Sequence, residues 1–127
     1  REVERQQLKG ERVLTLESGH RLHEQVAELC RQYGATMLTD FAGTSLDTLR
    51  LMVGMGDGIA FLPSLYVRSE TPKDDQVRVV RLKQRPPRRL VGLVWRKQSA
   101  HARELRQLAG TIRGVLRGIE PDVSVIS

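Results

Sequence analysis

"LTLESGHRLHEQVAELC", residues 14–30, decides how the chain is read. Val13, Leu14, Thr15 and Leu16 form a β-like run that meets Ser18-Gly19-His20-Arg21. After that turn Leu22, Val26, Leu29 and Cys30 recur at offsets of four, seven and eight. Apolar side chains at those offsets share one face of a 3.6-residue period, so the stretch predicts a strand turning into an amphipathic helix. A helix start presents unpaired backbone N–H groups and the positive end of its dipole. Such a junction is a place where an α/β protein holds a small anion.

The alternation continues downstream. The pattern predicts a strand over 12–16 and a helix over 20–33 ended by Gly34. A strand over 37–42, a helix over 45–55 and a strand over 59–62 stopped by Pro63 follow. Thr44 and Asp47 make a T-x-x-D capping pattern, with Leu46, Leu49 and Val53 facing inward. Strands separated by helices cannot pair as hairpins, so β-α-β-α-β predicts a parallel sheet with right-handed crossovers. Residues 67–75 ("VRSETPKDD") read as a polar, turn-prone segment. "VRVVRL" (77–82) and "LVGLVWR" (90–96) read as strands on either side of the "KQRPPRR" break at 83–89. A last helix, 99–118, carries Ala102, Leu105, Leu108, Ala109, Ile112, Val115, Leu116 and Ile119 on one face. Arg103, Arg106, Arg113 and Arg117 lie opposite and read as the solvated side of a packed helix.

With 127 residues, 39% hydrophobic, the sequence is one domain or a large piece of one. Aromatics are 4%, so Leu, Val and Ile carry the packing. No apolar run approaches the ~20 residues that span a bilayer, and no signal-peptide pattern opens the chain, so a cytoplasmic location is expected. The sequence opens at Arg1 without a Met and reads as an excised fragment. One cysteine excludes an internal disulfide and a multi-cysteine metal site. The net charge of +6 and pI near 10.2 invite a nucleic-acid reading. Yet the arginines are dispersed, interleaved with acids in the first half, and without the neighbouring aromatics that stack bases. DNA contact by this segment itself is not expected.

Two strand-to-helix turns should share one sheet edge: Ser18-Gly19-His20-Arg21 and Gly43-Thr44-Ser45. Backbone N–H groups, the hydroxyls of Ser18, Thr44 and Ser45, and the side chains of His20 and Arg21 suit a carboxylate or similar small anion. The plainer alternative makes those hydroxyls ordinary N-caps worth ~1 kcal/mol each. Cys30 lies ten residues past His20, ~15 Å along one helix, so no Cys/His dyad forms. Its offset from Leu22 and Val26 puts it on the buried face as a small hydrophobe. "GMGDGIAF" (54–61) follows a helix and precedes a strand, the reverse of a nucleotide-binding loop, and reads as a helix stop. No catalysis, cofactor or metal site is expected.

"TSLDTLRLMVGMGDGIAFLP", residues 44–63, resembles the second half of the effector-binding domain of LysR-type transcriptional regulators. There a helix starting at Thr/Ser runs into Gly-x-Gly-(Ile/Val) and a strand ending in Leu-Pro. "LESGHRLHEQ" and "PRRLVGLVWR" are similar to the OxyR-like branch, and the likeness runs from about Leu8 to Gly118. The resemblance implies an α/β, type 2 periplasmic-binding-protein-like effector domain, represented mainly by its second subdomain. On that reading residues 1–82 form the second subdomain, 83–98 the crossing strands, and 99–127 the C-terminal helix and tail of the first subdomain. A winged helix-turn-helix that binds promoter DNA would precede them. A homodimer or tetramer is implied, with Leu49, Arg50 and Val53 at its interface, and RNA polymerase as a further partner. The effector would sit in the inter-subdomain cleft, with Arg89 pointing at it from the crossing strand.

One departure changes the chemistry the resemblance implies. Arg21 stands where the branch has its peroxidatic cysteine, while Cys30 matches the resolving one. Without a partner sulfur Cys30 closes no regulatory disulfide, and an arginine instead suits bidentate pairing with an anionic metabolite. Redox sensing through Cys30 alone, and a solute-binding protein of a transporter, are the alternatives. The apolar face of helix 99–118 expects a covering sheet from the first subdomain.

Overall fold

The computed structural model describes residues 1–83, 85–119 and 123–126. Residue 84 of the 83–98 crossing, residues 120–122 and 127 of the 99–127 tail, and the side chain of Phe41 lie outside the described residues. In chain order the elements are β1 (Glu2–Val3), a 3-10 turn (Arg5–Leu8), β2 (Arg12–Leu16), α1 (Arg21–Tyr33), β3 (Thr36–Gly43) and α2 (Leu46–Gly54). Then come β4 (Ile59–Ala60), α3 (Ser64–Glu70), a 3-10 turn (Thr71–Lys73), β5 (Arg81–Leu82) and α4 (Ala102–Arg117). Two compact units result, Arg1–Pro87 and Arg88–Ser127, dividing inside the 83–98 segment.

In the first unit a three-stranded sheet has the order β3-β2-β4, with β2 parallel to both neighbours. β2 is central and covered on both faces: Val13, Leu14, Thr15 and Leu16 are all buried. Successive side chains of a strand point to opposite faces. Val13 accordingly packs with Val26 and Cys30 of α1, whereas Leu14 and Leu16 pack with Leu49 of α2. The two helices therefore cover opposite faces, as crossovers of one hand must when β2→β3 and β3→β4 run in opposite directions across the sheet. The parallel β-α-β-α-β order expected from the sequence is present, and the fold class is α/β. α1 begins at an extended His20 and ends at Gly34, whose φ of +67° lets its N–H reach the Cys30 carbonyl.

Some expectations need correction. The cap of α2 is Ser45, whose Oγ accepts the Thr48 N–H at 3.2 Å. The Thr44–Asp47 box does not form, and Asp47 instead accepts a 2.5 Å hydrogen bond from the Tyr66 hydroxyl. Residues 67–75 are not a loop but largely helical, because Tyr66 ties α3 to α2. Its hydroxyl also accepts Arg50 Nε at 3.1 Å, and the Arg50 guanidinium pairs with Asp74. Of the strand expected at 77–82, Arg81–Leu82 is formed, paired with Glu2–Val3. Residues 90–96 form no strand, since among the described residues no segment pairs with them. Leu90 and Val91 are exposed there, and Val94 is 95% exposed.

Leu49→Ala should cost ~2–5 kcal/mol, because it empties a fully buried site between Leu14 and Leu16. Leu51→Ala, at an exposed position on the same helix, should change stability by less than about 0.5 kcal/mol. Urea unfolding of both variants checks this, and equal losses would refute the packing described.

Candidate functional site

At its carboxyl end β2 is tied to β3 through the Glu17 N–H, which donates to the Gly43 carbonyl at 3.1 Å. The turn into α1 then passes through Gly19 at φ +100°, a conformation that L side chains rarely adopt. That backbone demand explains the glycine. β3 approaches the same place irregularly. Val13 lies opposite Met37, but Thr15 lies opposite Ala42, so β3 carries excess length between these pairs. A bulge of this kind re-aims side chains at a sheet's edge.

The turn, the bulge and α1 border an open cavity of about 450 Å³ lined by Thr15, Glu17, Ser18, His23, Thr39 and Ala42, of which Glu17, Ser18 and Thr39 are exposed. That volume lies within the ~300–1,000 Å³ of small-molecule sites. Two features give it chemistry. Thr15 is 0% exposed, and its Oγ1 has no hydrogen-bond partner among the described residues. Leaving a buried hydroxyl unpaired costs ~1–3 kcal/mol, so the position asks for a partner. His23 Nδ1 lies 2.8 Å from the Leu16 carbonyl oxygen, which only accepts, so Nδ1 carries the proton there. In the neutral ring Nε2 is then an acceptor.

The expected site residues separate. Ser18 lines the cavity, Gly19 makes the turn, and His20 is the exposed N-cap of α1. Arg21 does not line the cavity: its side chain is 75% exposed and bonds Glu24 at 2.6 Å, three residues along the same helix face. The i,i+3 spacing gives the guanidinium a carboxylate partner on the helix surface. Thr44 and Ser45 are exposed at the start of α2 and do not line the cavity. Arg89 is exposed in the second unit. Of the expected interface residues, Leu49 is fully buried and Val53 packs against the Leu14, Leu16 and Leu49 cluster. Arg50 is held by Tyr66 and Asp74, hydrogen bonds that raise its pKa. The exposed large apolar side chains here are Leu51 of α2 and Met55 at its C-cap.

Thr15, Glu17, His23, Thr39 and Ala42 were not anticipated. The readable signal was Thr15, the single polar residue inside an otherwise apolar buried strand. The β3 bulge that brings in Thr39 leaves no such trace. Cys30 is buried as expected, and burial pushes its thiol pKa up. Among the described residues no group of three or more His, Cys, Asp or Glu side chains could hold a metal ion. Nor, among them, is any helix long and apolar enough to cross a membrane.

Residues 1–117 match the family model described as the LysR substrate binding domain. The chain is 43% identical over 111 residues to the DNA-binding transcriptional dual regulator OxyR of Escherichia coli K12, covering 87% of this chain and 36% of that protein. It is 33% identical over 113 residues to a hydrogen peroxide-inducible genes activator of Haemophilus influenzae, covering 89% and 37%. The crystal structure of the reduced form of OxyR superposes with a TM-score of 0.75 at 40% identity, covering 91% of this chain and 53% of that one. The chain thus spans about a third of the length of these curated relatives.

Because its thiol is buried and held protonated, Cys30 should react with iodoacetamide at pH 8.5 far more slowly in the folded chain than in urea. Mass spectrometry reads the difference. Equal labelling rates in both states would overturn the buried assignment.

Proposed function

This chain belongs to the LysR substrate-binding family, and from that premise we propose that it senses a small effector in the cavity formed by Thr15, Glu17, Ser18, His23 and Thr39. The observation that carries the proposal is Thr15, a residue of the cavity's lining whose buried hydroxyl has no hydrogen-bond partner among the described residues. The same turn that lines the cavity begins α1, so a ligand drawing on Ser18 and His23 acts directly on the position of that helix. It shifts the protein only by binding one arrangement better than another. A 100-fold preference supplies ~2.7 kcal/mol.

The relatives are named as transcription regulators, one of them as DNA-binding. Carried to this chain, the reading gives promoter DNA bound through a winged helix-turn-helix outside these residues, a homodimer or tetramer, and a cytoplasmic place of action. RNA polymerase is a further partner on this reading. Residues 83–98 and 99–127 are read as the crossing and the closing helix of a first subdomain, whose sheet would cover the apolar side of α4.

A second reading, a peroxide response through Cys30, is favoured by the names of the relatives. It requires an accessible thiolate, and Cys30 is buried with a raised pKa. In the intact regulator, hydrogen peroxide should leave the promoter footprint unchanged. A deproteinised small-molecule extract of the host cell should alter it, and Thr15→Val should abolish that change. A peroxide-dependent footprint that disappears in Cys30→Ala would establish the second reading instead.

A further inference from the structure

The effector-site reading leaves open what kind of molecule the cavity takes, and its lining is selective on this point. Among the described residues no lysine or arginine lines it. The nearest candidate in sequence, Arg21, is engaged by Glu24 and 75% exposed. The lining carries one carboxylate, Glu17, and three hydroxyls, from Thr15, Ser18 and Thr39. With Nδ1 donating to the Leu16 carbonyl, the neutral tautomer of the His23 ring has Nε2 as an acceptor. Among the side chains of this lining an anion would meet a carboxylate and no cation, so that only the backbone N–H groups at the start of α1 would favour it. A group that brings protons to share meets the opposite: a carboxylate, a ring nitrogen and hydroxyl oxygens, all able to accept.

We propose that this cavity binds the ammonium group of a small primary amine, through Glu17 and the buried Thr15 hydroxyl, with His23 and Thr39 completing the shell. The proposal rests on the effector-site reading above and names its ligand class. A primary ammonium has three N–H donors, and a charge-assisted bond to a carboxylate is stronger than a neutral one. Thr15 gains the partner that its burial lacks, so the cost of leaving that hydroxyl unpaired is relieved only in the bound state. Free Thr15 is thereby a source of discrimination between the empty and occupied forms.

The test titrates the intact regulator with ethanolamine or 1,4-diaminobutane as chloride salts, and with acetate and glycerol at matched ionic strength. Amide chemical shifts of Ser18, His23 and Thr39 report binding. Saturable amine shifts at these residues are expected, weakened at least about tenfold by Glu17→Gln. Thr15→Val should also weaken amine binding while raising the melting temperature of the ligand-free chain, since it removes the unpaired hydroxyl at constant shape. A residue with a merely structural role would lower that temperature. Acetate or glycerol saturating these amides while both amines stay silent would overturn the amine class and leave the effector site standing. Silence of all four compounds would overturn the amine class and count against the site itself.

Discussion

The enclosure of β2 between two helices is the constraint on which the rest of the first unit depends. A strand buried on both faces tolerates no register slip, because each side chain already has a packing partner fixed on one side. Val13 belongs to α1 and Leu14 to α2, and moving either by one residue would place it against the wrong helix. The neighbours must also come close. A Cβ at Gly58 would lie 2.6 Å from the Arg12 carbonyl oxygen, so β4 can approach β2 only because its lead-in residue has none. Parallel pairing on both sides then sends the chain into a helix at the carboxyl end of β2 and again at that of β3. The site is a consequence of the sheet. Cover a strand twice, end it at a helix start, and the backbone N–H groups and turn side chains gather at one edge.

Thr15 stands out against that background. In a strand with four successive buried positions, three are aliphatic and the fourth is a hydroxyl with nothing to bond. Valine would fill nearly the same volume without the desolvation cost. A fold under pressure for stability alone has no use for the oxygen. Thr15 belongs to the cavity's lining, beside the irregular register of β3, and the proposed effector site draws on that position.

Much of this was legible in the sequence, for reasons that differ by element. α1 and α2 announce themselves through apolar residues at a helical period, and β2 and β3 through short β-rich runs bounded by Gly and polar turns. α3 was hidden because its helicity is not intrinsic. Seven residues including Val67 and two serines are held by the Tyr66 hydroxyl reaching Asp47 and Arg50, a tertiary bond that no local pattern encodes. The "LVGLVWR" run misled in the other direction: its composition suits a strand, but a strand is a relation between two segments, and among the described residues the second is missing. Ser18 and Gly19 were correctly placed at the turn from residue type alone. Arg21 opens α1 as that reading expects, but residue type alone does not fix its rotamer, and here the guanidinium bonds Glu24.

The position of Arg21 also bears on how far a likeness in sequence carries a likeness in mechanism. Positions 21 and 30 both belong to α1, nine residues apart. At ~1.5 Å rise per residue they are separated by ~13.5 Å along the axis, whereas a disulfide requires Cα atoms within ~7 Å. Even a sulfur at position 21 could therefore reach Cys30 only if α1 came apart. Here the helix has the opposite tendency. Arg21–Glu24 and Arg31–Glu28 each form an i,i+3 pair along it. Gly34 closes its end, and Cys30 is sealed against Val13 and Val26. α1 is thus closed at its C-terminal end by Gly34 and packed through its thiol against β2. Arg21, exposed and paired with Glu24 on the first turn, adds to this helix only the modest stabilisation of a surface ion pair.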